Sequence, residues 1–136
     1  MYKIFSKINK KKILHIFFQP KKNTKSFCIT HPKEELQCLF YNFDKNKTIK
    51  AHRHLFKKKE YKKIKNQESW LLISGLAEVS YFDLDNKLLF KKIMKPGNIS
   101  ITFDGIHELK ILKKNTQIFE FKNGPYEGHE HDLEYI

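Results

Sequence analysis

The chain has 136 residues and carries 27 Lys or Arg against 15 Asp or Glu, a formal net charge of +12. That length supports one domain with a proper core and is too short for two. Its two cysteines, Cys28 and Cys38, show no CxxC or paired spacing, which excludes a disulfide scaffold and fits a reducing intracellular compartment.

The positive charge invites a nucleic-acid reading, because Lys and Arg neutralise phosphates. Against it, Arg53 is the only arginine, and bidentate phosphate or base-edge contacts lean on the rigid guanidinium fork. A chain rich in Lys, Ile, Asn and Phe is also what an AT-rich genome encodes. The expectation is a solvated lysine surface with no nucleic-acid partner, compatible with attraction of an anionic substrate.

In chain order, the lysine-rich stretch 3–12 runs into the apolar segment 13–18. This resembles a secretion signal only superficially: the apolar run is short, contains His15, and has no small-residue cleavage site after it. No stretch approaches the ~20 apolar residues of a membrane span, so a cytoplasmic location is expected. Residues 12–19 are an apolar run closed by Pro20, and 21–24 read as a loop. The first 30 residues fit a core pattern least. They are expected to form an N-terminal arm, either an edge cover or a strand exchanged in a homodimer, with 31–136 as the main domain.

Strands are predicted at 35–43 and 48–54, separated by a turn at 44–47. Two more, 70–73 and 76–82, hinge at Gly75, whose missing side chain allows a tight bend. Asp83-Leu84-Asp85-Asn86 reads as a hairpin turn, and strands follow at 87–94, 98–103, 107–112 and 117–122. Many short strands with no long helix predict an all-β sandwich or barrel. Twelve Phe, six Tyr and one Trp supply large apolar area for its interior.

His52 and His54 stand two apart on a predicted strand, so both imidazoles leave the same face. With a carboxylate and the later His107 they make a mixed N/O set that suits Zn, Fe, Mn, Ni or Cu better than Mg or Ca. Glu60 and Glu68 both offer the carboxylate. Glu68 is preferred because a six-residue spacer leads from it to Gly75 on a strand facing the interior.

This order of residues resembles the cupin superfamily: His52-x-His54, Glu68-x6-Gly75, the turn Lys95-Pro96-Gly97, then His107. The resemblance implies a single-domain cupin-type β-barrel, or jelly roll, with a divalent transition metal held by His52, His54, Glu68 and His107. Two departures stand out. A lysine-rich insertion (57–63) lengthens the interval from His54 to Glu68, and Phe103 stands where a Pro is usual.

From about His31-Pro32 onward the chain also resembles a narrower group, the WbuC-like cupins found with bacterial O-antigen and surface-polysaccharide genes. The carrying residues are Ala51-His52-Arg53-His54, Glu68-Ser69-Trp70, Phe82-Asp83, Gly105-Ile106-His107 and, most specifically, Glu120-Phe121-Lys122-Asn123-Gly124-Pro125-Tyr126, with Asp132 beyond. Leu133 replaces the Lys that usually follows that Asp, and the usual C-terminal extension is absent. The resemblance implies a role in nucleotide-sugar or surface-polysaccharide metabolism, as a sugar isomerase or epimerase with an anionic sugar derivative as ligand. Lys122 and Tyr126 are the candidate substrate contacts at the pocket rim. Arg53 is expected to point away, since it alternates with the histidines. In a metal-independent variant His52 or His54 would shuttle protons. The alternatives are a non-heme iron oxygenase, to which a His/His/carboxylate set also belongs, and a non-catalytic sugar- or metal-binding protein. His129 and His131 repeat the HxH spacing but read as a solvated tail.

Overall fold

The computed structural model describes residues 1–59 and 62–136, with the side chains of 57–59 and 62–64 left out; Glu60 lies outside the described residues. Within the described residues, fourteen strands and one short helix follow in order. They are β1 (Tyr2–Phe5), β2 (Ile13–Phe17), β3 (Phe27–Cys28), β4 (Leu36–Phe43), β5 (Thr48–His54), β6 (Phe56–Lys59) and β7 (Lys62–Lys65). Then come β8 (Glu68–Ser74), β9 (Ala77–Phe82), β10 (Leu88–Met94), β11 (Ile99–Thr102), β12 (Ile106–Ile111), β13 (Thr116–Asn123), α1 (His129–Asp132) and β14 (Leu133–Tyr135).

Two five-stranded antiparallel sheets, ordered β10-β9-β12-β5-β14 and β11-β8-β13-β4-β3, face each other as a jelly roll, and β1-β2 and β6-β7 form separate hairpins. The predicted strands from residue 35 to 122 are all present, with ends shifted by a few residues. The alternation is plain on β8, where Glu68, Trp70 and Leu72 are buried between half-exposed Ser69 and Leu71. Leu72, Ala77, Val79, Met94, Leu109, Ile111 and Ile118 plug one end of the interior. The opposite end is polar, and the histidines lie there.

A second apolar cluster sits on the outer face of the β4-containing sheet. Phe40, fully buried, stacks edge-on to Phe18 at 5.5 Å and meets Phe119 at 5.6 Å, while Phe27 of β3 lies 5.2 Å from Phe18. Phe18 and Phe27 therefore cover Phe40 and Phe119 on the outer face of that sheet. The hairpin β1-β2 before them pairs with neither sheet among the described residues.

The bends have local causes. Asn86 takes a left-handed φ of 69°, closing the β9-β10 hairpin with its N–H on the Asp83 carbonyl. Gly75 has φ 93°, and a Cβ there would lie 2.6 Å from the Thr116 Cα. Backbone strain and a clash with backbone both oppose any larger residue. Gly75→Ala is expected to lower stability by about 2–3 kcal/mol, read as a reduced urea midpoint at unchanged m. An unchanged midpoint would mean the bend relaxes freely.

Candidate metal centre

His52 and His54 project from β5 into the interior, and His52 pairs directly with His107 on β12. Glu68, at the start of β8, reaches them from the facing sheet. The His107 Nε2 lies 3.1 Å from the Nε2 of both His52 and His54. Glu68 brings Oε2 to 3.5 Å from His54 Nε2 and Oε1 to 3.7 Å from His107 Nε2. One donor atom from each of the four buried residues lies within 4.8 Å of all the others.

Each imidazole is fixed through its other nitrogen. His52 Nδ1 donates to the Lys50 carbonyl at 2.8 Å, His107 Nδ1 meets the Thr102 hydroxyl at 2.8 Å, and His54 donates to the Asp132 backbone carbonyl. With Nδ1 protonated, every Nε2 aims a lone pair at the same point, the arrangement metal-bound histidines adopt. Glu68 Oε1 is buried with no hydrogen-bond partner among the described residues, costly for a carboxylate unless a cation compensates. Three converging lone pairs and an unsatisfied carboxylate oxygen fit a divalent transition metal and exclude a packed apolar alternative. The donors do not choose among Zn, Fe, Mn and Ni.

The electrostatics agree. Burial lowers the pKa of all three imidazoles: His54 to about 4, with a push from His52, and His107 well below its ordinary value, with pushes from His52 and His54. They are neutral, as ligands must be. Burial and then the charge of Glu120 raise the Glu68 carboxyl well above the carboxylate range.

Around the ligands runs a buried polar network. His107 stacks flat on Trp70, ring centroids 4.3 Å apart at 6°, and Trp70 Nε1 donates to Glu120 Oε2 at 3.1 Å. Lys122 Nζ lies 2.7 Å from Asp132 Oδ2 and 4.0 Å from Glu120 Oε1. Burial pulls the Lys122 pKa down, but Glu120 and Asp132 outweigh it and leave a raised value and a firm positive charge. Asn66 donates to Asp132 Oδ1 at 2.7 Å. Asp132, on α1, thus anchors Lys122 with its carboxylate and orients His54 with its carbonyl.

A cavity of about 140 Å³ opens beside the cluster, lined by His52, Glu68, Glu120 and Lys122 on its polar side, with Tyr41 and Tyr135 among its aromatic walls. Lys122 is a wall residue with 9 % side-chain exposure, deeper than a rim position. Tyr126 does not line the cavity; its ring lies 4.9 Å from Lys122 Nζ and 6.1 Å from His129. Arg53 points away and donates to Asn86 Oδ1 at 2.6 Å. The tail is not solvated throughout. His129 sits at the cavity lining, and β14 pairs with β5, setting Tyr135 opposite His52, because the chain folds back across the barrel mouth. His131 remains exposed.

Sequence reasoning gave no role to Asn66 or Thr102 and did not see that Glu120 faces the ligands. Asn66 precedes Glu68 by two, and Glu120 precedes Lys122 by two, so strand alternation carried a signal for both.

No protein-family model and no curated protein sequence matches the chain. Many solved structures share its fold. A cupin superfamily protein from Desulfitobacterium hafniense superposes with TM-score 0.54 at 12 % identity, over 78 % of this chain and 83 % of its own. CapF gives TM-score 0.64 at 12 % identity, covering 82 % of this chain and 31 % of its own. Oxalate decarboxylase from Bacillus subtilis gives TM-score 0.58 at 15 % identity, over 76 % and 24 % respectively. This chain therefore spans under a third of the two larger proteins. The fold is the cupin jelly roll, with a buried metal site of three histidines and one glutamate at its polar end. No described helix is long and apolar enough to cross a membrane.

Proposed function

We propose that this protein is a metal-dependent cupin of nucleotide-sugar or surface-polysaccharide metabolism that isomerises or epimerises an anionic sugar derivative. The observation that carries the reading is a small cavity in which Glu120 and Lys122 face the His52, His54, Glu68 and His107 cluster. The resemblance of residues 120–126 to the WbuC-like cupins supports it, because Glu120 and Lys122 of that segment line the cavity beside the ligands.

A bound divalent metal would polarise a substrate carbonyl. The protein's own residues do the rest. Isomerisation and epimerisation move one proton on and off the carbon next to that carbonyl, with no net redox change. Glu120, whose carboxyl burial holds above its ordinary pKa, is the group suited to carry it. Lys122 presents a fixed positive charge to a carboxylate or phosphate. His52 and His54 hold the metal here rather than shuttle protons. A cavity of about 140 Å³ has room for roughly five waters by their share of liquid volume. One edge of a sugar enters, and the nucleotide stays at the mouth beside His129 and Tyr135.

The test is a nucleotide-sugar panel against metal-loaded protein at low salt, read by calorimetry and product analysis. Saturable binding is expected, weakened several-fold in Tyr126→Ala, because that ring supports Lys122 by a cation–π contact. Uptake of a simple acid with no response to any nucleotide-sugar would move the reading to a small-acid enzyme. Oxygen consumption with iron would move it to an oxygenase.

A further inference from the structure

We propose that the N-terminal hairpin is a docking element for an anionic lipid surface. The charge distribution is one-sided: residues 1–33 contain nine Lys and neither Asp nor Glu, so all 15 acidic residues lie beyond them. Composition alone does not produce that split, since lysine abundance elsewhere in the chain is accompanied by acids.

The same segment exposes apolar side chains that the fold leaves uncovered. Tyr2, Ile4, Leu14 and Phe17 are each at least half exposed, and Ile8 at the tip is 100 % exposed. The tip is built rather than ragged. Ser6 Oγ accepts from the N–H groups of Ile8 and Asn9, and the Lys12 N–H closes on the Asn9 carbonyl. These bonds hold Ile8 outward between Lys7 and the run Lys10-Lys11-Lys12. A two-stranded hairpin in water is marginal by itself, and this one pairs with neither sheet among the described residues.

An aliphatic tip ringed by lysines, with aromatic Tyr2 and Phe17 behind it, suits a surface that is anionic outside and apolar a few ångströms down. A second copy of this chain would bring like charge against like. Nucleic acid would meet the lysines but leave Ile8 and Leu14 without an apolar partner, and the segment has no arginine.

The experiment is flotation of the full chain with vesicles of phosphatidylcholine alone or with about a third phosphatidylglycerol. Binding is expected only to the anionic vesicles and is expected to fall steeply between low and high salt. Replacing Lys10, Lys11 and Lys12 by alanine should reduce partitioning roughly a hundredfold, at about fivefold per lysine, and Ile8→Ser about tenfold. Metal content and the fluorescence of buried Trp70 should be unchanged, which separates this surface from the site. Equal flotation of wild type and the triple variant would overturn the proposal. So would retention of a single-stranded RNA by the hairpin with no vesicle binding, which would identify a nucleic-acid surface instead.

Discussion

His107→Ala is expected to abolish stoichiometric binding of a divalent transition metal, measured by elemental analysis of purified protein, and to erase the thermal shift that added metal gives wild type. At metal one hundredfold above Kd, binding contributes about 2.7 kcal/mol. For a chain of this length that is roughly 9 °C in Tm. The ring removed is the one that meets both other imidazoles at 3.1 Å, so no three-nitrogen site survives it. Equal metal content in the two proteins would remove the site assignment.

The pH dependence follows from the same groups. Between the ordinary histidine pKa of 6.5 and about 4, the unfolded chain binds a proton at His54 that the folded metal-free protein does not. Stability therefore falls as pH falls through that window, and His52 and His107 act in the same direction. Glu68 and Glu120 work oppositely. Above 4.5 the unfolded carboxyls ionise while the folded ones keep their protons, so stability falls as pH rises toward their raised values. Metal needs neutral imidazoles and an ionised Glu68 together. The metal-induced Tm shift should therefore grow as pH rises from the acid side, while the metal-free protein loses stability toward both ends. A shift that shrinks with rising pH would contradict the ligand set.

The strand series and the four ligands were legible because each rests on a local rule. Period-two alternation puts His52 and His54 on one face, and the spacing from Glu68 to the bend at Gly75 fixes which carboxylate looks inward. What was not legible depends on long-range return of the chain. Asp132 stands 78 residues after His54 in a four-residue helix, and no pattern in residues 124–136 says that this segment folds back onto β5. Tyr135 opposite His52 is the same case. Lys122 was assigned as a substrate contact, but its pairing with Asp132 follows only from that return. The arm divides likewise: Phe18 and Phe27 find Phe40 through tertiary packing that composition cannot announce.

Lys122→Met is the second large effect. Lys122 is 9 % exposed and Asp132 fully buried at 2.7 Å, so removing the ammonium strands one carboxylate and weakens the compensation of Glu120. Breaking one side of a buried pair costs about 3–5 kcal/mol, and methionine keeps most of the volume. The loss should be larger on the alkaline side and shrink toward acid, because burial already raises the Glu120 carboxyl and acid lets it take a proton that replaces the missing charge. The wild-type lysine, with its pKa raised above 10.5, keeps its own contribution at every pH below that value. Adding Asp132→Asn to the variant should recover much of the stability, since a neutral amide needs no counter-charge and still accepts from Asn66. The backbone carbonyl of residue 132 would still hold His54, so metal affinity should change less in the double variant than in the single one. Urea titrations of wild type, both single variants and the double variant at acid and alkaline pH read the coupling directly. A coupling near zero on the alkaline side would mean that solvent, rather than Lys122, neutralises Asp132.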